Sequence, residues 1–168
     1  MIKEQIRELE TLTTYLKDNE KNVITQAINF SQKAHKDQIR KSGDPFITHP
    51  IQVAKILTSI NLDASAIAAG LLHDTIEDTN ISINEITKNF GEQISELVQG
   101  LTKISEFSLK INKQKLGENY RKLILASSKD LRVILIKLAD RLHNMRTINF
   151  IKDENKKINI SIETLKKR

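Results

Sequence analysis

Apolar positions recur at helical spacing along nearly the whole chain. Residues 2–16 form a charged amphipathic stretch, and 22–36 carry Val23, Ile24, Ala27, Ile28 and Ala34 on one side. The run Lys41-Ser42-Gly43-Asp44-Pro45-Phe46 has the Ser, Gly, Asp and Pro content of a turn. Past Thr48-His49-Pro50, the pattern Ile51, Val53, Ala54, Ile56, Leu57, Ile60 resumes a helix, and Pro50 suits a first turn, where its missing N–H costs nothing. Asp63 is placed to cap a small-residue helix over 64–74 that packs centrally. Ser82-Ile83-Asn84-Glu85 has the form of a capping box, Gly91 breaks the helix it opens, and 92–101 is again helical. Residues 102–117 are polar and irregular in pattern, and read as a loop. Helices are expected over 118–127, 130–145 and 152–168. The run Leu131, Val133, Ile134, Leu135, Ile136, Leu138, Ala139 is rich in β-branched residues, but its length and helical neighbours favour a buried helix over a strand. The architecture predicted is an all-α bundle.

Composition narrows the partners. A chain of 168 residues fits one domain, and with no cysteine it holds neither a disulfide framework nor a thiolate metal site, which suits a cytoplasmic protein. There is no apolar run of transmembrane length and no apolar leader after Met1-Ile2-Lys3-Glu4, so no membrane partner is expected. The net charge of +6 is spread over scattered lysines, and aromatics are only 4%, which argues against nucleic acid. Two readings of the charge stay open: a solvated helical surface, or attraction for a phosphate-rich small molecule. The oligomeric state is not legible.

Chemistry concentrates in a few places. His73-Asp74-Thr75-Ile76-Glu77-Asp78 places one imidazole and three carboxylates at the end of an almost wholly apolar helix. Adjacent side chains reach one ion only near a helix end or kink, and buried groups of this kind are costly unless a cation joins them. Asp140 interrupts the apolar run and so needs either a metal or a salt bridge, with Lys137 and Arg141 as the competing partners. His49, fixed before Pro50, is either a ligand or a turn cap. Together His49, His73, Asp74 and Asp140 form a mixed N/O set suited to Mn²⁺, Fe²⁺ or Mg²⁺. Glu77 and Asp78 remain as a pair able to handle protons. Arg40, Lys41 and Ser42 precede His49, where Arg stacks on a purine and Lys meets phosphate. Asn144 and Thr147 continue the face of Asp140. His35 and His143 have no evident partner and read as surface or supporting histidines. The chain has no GxxxxGK[ST], GxGxxG or HExxH string.

Three strings, AHKDQIRKSGDPFITHP (34–50), AAGLLHDTIEDT (68–79) and VILIKLADRLHNMRT (133–147), resemble the hydrolase domain of the RelA/SpoT family, and the likeness runs over residues 22–165 or so. The resemblance implies an HD-domain helical fold and hydrolysis of (p)ppGpp, guanosine tetra- and pentaphosphate, at its 3′ position, with Mn²⁺. It implies His49, His73, Asp74 and Asp140 as metal ligands and Glu77 and Asp78 as the acidic pair that activates water. It implies Arg40 against guanine, Lys41 and Ser42 beside the nucleotide, and Asn144 and Thr147 on the nucleoside. Members that only synthesise the alarmone have degraded His-Asp and Glu-Asp positions, and here both are intact.

Long members continue through a Tyr-Ala-Pro-Leu-like run into synthetase and regulatory domains, whereas this chain ends at Lys166-Lys167-Arg168. The expectation is a hydrolase domain over 1–168, whether standalone, a fragment or part of a split gene. Two alternatives stand beside it: an HD phosphohydrolase for another nucleotide, and a catalytically weak remnant that serves as a binding module.

Overall fold

A computed structural model describes residues 2–109, 130–151, 153, 154, 157, 158, 160 and 161. Its elements are α1 (Ile2–Leu12), α2 (Asp18–Ala34), α3 (Thr48–Ser59), α4 (Ala64–Leu72), α5 (Thr75–Asp78), α6 (Ile83–Leu109), α7 (Leu131–Arg146) and a 3-10 turn, Ile148–Phe150. Among the described residues there is no strand; Ile39 and Pro45 form an isolated antiparallel bridge. The all-α expectation therefore holds.

α4 is the axis of the molecule and packs on α2, α3, α6 and α7. All of its residues except Ser65 are buried. Its alanines and Gly70 let neighbouring helices approach closely, so whatever follows Leu72 is delivered to the middle of the bundle. A Cβ added at Gly70 would lie 2.5 Å from Leu57 Cδ1, and Leu57 is itself wholly buried. Overpacking of this kind costs about 1–3 kcal/mol, while alanine returns about 1 kcal/mol of helix propensity. Gly70→Ala is expected to lower stability by about 1 kcal/mol in urea titration, with the slope of the transition unchanged.

The Asp63 cap holds, and of the Ser82 box the hydroxyl half forms. The Asp63 carboxylate accepts from the Ala66 amide at 2.9 Å, and Ser82 Oγ accepts from the Glu85 amide at 3.3 Å. Asp130 caps α7 by accepting from the Arg132 amide, and the Arg132 guanidinium reaches both Asp130 and Asp63, tying together the starts of α4 and α7. Gly91, at φ 81°, kinks α6 through the left-handed region that glycine enters without steric penalty.

Three expectations change. α1 stops at Leu12 rather than 16, and α2 begins at Asp18, ahead of 22. The loop read from residue 102 is helical through Leu109, because Leu101 and Ile104 extend the buried stripe of Leu97 and Val98. His35 is not a surface residue: it is 3% exposed. The helix forecast over 118–127 lies outside the described residues. Of the terminal stretch, residues 154, 157, 158, 160 and 161 are described as helical.

Candidate active site

Each side chain in the set arrives from a different break in the helical pattern. His49 sits in the first turn of α3. His73 and Asp74 occupy the joint between α4 and α5, where the helix stops at Leu72 and restarts at Thr75. The kink expected there is what allows adjacent side chains to face one point. Asp140 comes from α7, packed on α3 and α4.

These four side chains converge. One donor atom each from His49, His73 and Asp140 lies within 4.8 Å of the other two. His49 Nε2 is 3.3 Å from Asp140 Oδ1 and 3.6 Å from Asp74 Oδ2. His73 Nε2 is 2.9 Å from Asp74 Oδ1 and 3.8 Å from Asp140 Oδ1. His49, His73 and Asp140 are buried, while Asp74 is partly open to the cleft.

The donor set fits a divalent cation on a test internal to the structure. His73 Nδ1 lies 2.8 Å from the Gly70 carbonyl, which can only accept, so Nδ1 carries a proton and Nε2 is the nitrogen left to take either a second proton or a cation. That Nε2 is buried and has Asp74 Oδ1 at 2.9 Å. It faces two carboxylates across the gap, an arrangement that requires a positive charge. The charge balance around His73 points the same way. Burial disfavours a charged His73, yet the charge and hydrogen bond of Asp74, with Asp140, outweigh it and raise its pKa to about 9. Asp140 is held well below the usual carboxylate range: burial opposes this, but the His49 hydrogen bond and the Lys137 charge prevail. Asp74 is likewise lowered against burial, chiefly by His73.

The choice left open for Asp140 resolves as both. Its Oδ2 meets Lys137 Nζ at 3.1 Å, while Oδ1 faces the histidines and accepts from Asn144 Nδ2 at 2.6 Å. Lys137 also donates to Ser105 Oγ at 2.9 Å.

A cleft of about 470 Å³ opens over this centre and is lined by Arg40, Lys41, Ser42, His49, Asp74, Glu77, Asp78, Asp140, Asn144 and Thr147. Of the candidate ligands, proton-handling carboxyls and substrate contacts, all line it except the buried His73. The Arg40–Ser42 segment overhangs the cleft because the loop folds on itself: the Arg40 amide donates to the Asp44 carbonyl at 2.8 Å, and Gly43 adopts φ 90°. Arg40 Nη2 touches Asn144 Oδ1 at 3.4 Å, linking the loop to α7. Thr147 Oγ1 donates to the His143 and Asn144 carbonyls. Partial burial raises the pKa of both Glu77 and Asp78; for Asp78 the Asp74 charge adds to it.

The two histidines read as surface or supporting residues are both supporting ones. His35 pairs its Nδ1 with Gln38 Oε1 at 2.8 Å and stacks on Phe46, whose edge meets His49. Gln38 in turn donates to the Asp78 carbonyl at 2.6 Å, so the loop is bolted to α5. His143 Nδ1 lies 2.7 Å from His49 Nδ1. The i,i+3 offset from Asp140 was the available signal for His143, since it puts both on one face of α7.

The HD-domain family profile matches residues 27–166, a span that contains all four converging side chains. The chain belongs to the HD-domain family. This HD domain is 46% identical over 158 residues to a GTP pyrophosphokinase of Myxococcus xanthus, covering 92% of the chain and 21% of that relative. It is 42% identical over 156 residues to the bifunctional (p)ppGpp synthase/hydrolase SpoT of Escherichia coli K12, covering 93% of the chain and 22% of the relative. The HD domain thus spans about a fifth of the length of the curated relatives it matches. Among solved structures, it resembles a metazoan ortholog of SpoT, described as hydrolysing ppGpp and acting in starvation responses. The match has a TM-score of 0.67 at 27% identity and covers 86% of this chain and 82% of that one. These are the RelA/SpoT-type proteins that the three motifs resemble. No helix among the described residues is long and apolar enough to cross a membrane.

Proposed function

We propose that this HD domain hydrolyses the 3′-pyrophosphate of guanosine tetra- and pentaphosphate, releasing pyrophosphate and GDP or GTP, with Mn²⁺ held by His49, His73, Asp74 and Asp140. The observation that carries the reading is one cleft combining three features. Its lining combines a mixed N/O donor set, two carboxyls with raised pKa and the Arg40-Lys41-Ser42 loop. The relatives described as (p)ppGpp synthase/hydrolase and as hydrolysing ppGpp support the substrate.

When bound, a divalent cation supplies Lewis acidity toward a phosphoryl oxygen and lowers the pKa of water. The chain's own residues do the rest. Water adds to the phosphorus attached at O3′, the P–O3′ bond breaks, and the leaving O3′ takes up a proton. Glu77 and Asp78 are placed to accept the proton from water and return one to O3′, and raised carboxyl pKa values suit that exchange near neutral pH. Arg40 offers its guanidinium plane to the base, Lys41 and Ser42 meet phosphate, and Asn144 and Thr147 border the nucleoside. Lys137 and Arg141 bring further positive charge to the cleft, as the anionic transition state requires. We read the hydrolytic unit as a single one and place the protein in the cytoplasm, where its nucleotide would be met.

A substrate panel with Mn²⁺-loaded protein tests the reading. Turnover of ppGpp to GDP and pyrophosphate is expected, with deoxynucleoside triphosphates and nucleoside monophosphates slower. If ppGpp stays intact while another nucleotide is consumed, the alarmone assignment is wrong. Repeating the assay with Mg²⁺ and Fe²⁺ tests the choice of manganese. Arg40→Ala is expected to raise KM for ppGpp about 5- to 30-fold with little change in kcat. That corresponds to the loss of about 1–2 kcal/mol of desolvated cation–π contact made equally in ground and transition states.

A further inference from the structure

His143 lies behind His49, off the lining of the cleft, and nothing in its sequence context gave it a partner. Its Nδ1 stands 2.7 Å from His49 Nδ1, a separation at which two imidazole nitrogens share one proton. The opposite nitrogen of His49, Nε2, faces the carboxylates of Asp140 at 3.3 Å and Asp74 at 3.6 Å. For His49 to ligate a cation there, Nε2 must be bare, which puts the His49 proton on Nδ1. His143 Nδ1 must then accept, with its own proton on Nε2.

We propose that His143 is a positioning residue of the metal site: by accepting from His49 Nδ1–H it fixes the tautomer that turns the His49 Nε2 lone pair toward the cation. The two metal-facing histidines then use the same device with different partners. His73 is fixed by the Gly70 carbonyl, a backbone group that no side-chain substitution removes. His49 is fixed by a side chain, so its tautomer is open to mutation. α7 supplies both Asp140 and His143, one turn apart, and Thr147 Oγ1 bonds the His143 carbonyl at 3.0 Å. One helix thus sets a ligand and the proton position of a second. Outer partners of this kind are worth about 10–100-fold in metal affinity. The inference rests on the divalent-metal reading of the site and is independent of which nucleotide binds.

The test is calorimetric titration of the full chain with Mn²⁺ as the probe, alongside the melting temperature of the chelated protein. His143→Phe keeps a ring and loses the acceptor, and its Mn²⁺ Kd is expected to rise about 10–100-fold. His143→Asn presents Oδ1 near the place of the histidine Nδ1 and is expected to recover most of that loss. His143→Lys, which only donates, is expected to bind no better than the phenylalanine variant. Should the phenylalanine variant fail to fold, the asparagine–lysine difference decides. Wild-type affinity in His143→Phe would overturn the proposal, as would equal weakening in the asparagine and lysine variants, which would mark a packing role. A wild-type chain that takes up no Mn²⁺ would overturn the metal reading and this inference with it.

Discussion

Replacing His73 by alanine is expected to abolish both divalent-metal uptake and phosphohydrolase activity. His73 is buried, and its Nε2 faces Asp74 and Asp140 at 2.9 and 3.8 Å. Removing it takes away an inner donor and leaves two carboxylates facing a cavity with less positive charge between them. Loss of a mere outer partner costs about 10–100-fold, so loss of an inner donor should exceed about 10³-fold in metal affinity. Metal content after gel filtration and steady-state turnover are the readouts, and a variant that retained both would refute the assignment.

The same histidine predicts a pH effect in protein stripped by chelator. Its folded pKa, about 9, lies above the reference value of 6.5. The folded state therefore binds its proton more tightly than the unfolded state. The stability this contributes is fully present below pH 6.5 and is lost as pH rises through about 9. The melting temperature of the stripped protein should fall over that window, and His73→Ala should flatten the fall. Metal loading should remove it too, since the cation takes the proton's place.

Glu77→Gln is expected to keep the metal and lose rate. Glu77 lines the cleft but is outside the cluster of mutually close donors, and partial burial raises its pKa against the counter-pull of Lys137 and Ser105. The amide preserves size and hydrogen bonding and removes the proton-accepting oxygen. A fall in kcat of about 10²–10⁴-fold is expected, with metal stoichiometry and KM little changed. Loss of metal together with rate would make Glu77 a ligand and reassign the proton chemistry to Asp78 alone.

How much of this was visible in the chain depends on the range of the interaction. The cap at Asp63, the kink at Gly91 and the break at His73-Asp74 are matters of a few consecutive residues, so spacing and side-chain type suffice. The misread stretch 102–109 is polar in composition, yet Ile104 finds a buried seat beyond Leu101. Tertiary burial there overrides a weak local pattern. For His35 and His143 the sequence left surface and supporting roles open, and packing, which sets their partners, decides for the supporting one. Gln38 is close in sequence but useful only once it reaches Asp78, and His49 lies 94 residues from His143.

By itself the sequence marked out candidate groups for chemistry: His49, His73, Asp74 and Asp140 as donors, Glu77 and Asp78 as spare carboxyls, and a basic loop, set at breaks in an apolar helical pattern. Only the tertiary structure decided that they share a single cleft, that Asp140 bonds Lys137 with one oxygen while offering the other to the histidines, and which nitrogen of His49 and His73 faces the carboxylates. The physical reason is that lone-pair direction and charge balance depend on neighbours a few ångströms away, and close packing around α4 is what chooses those neighbours.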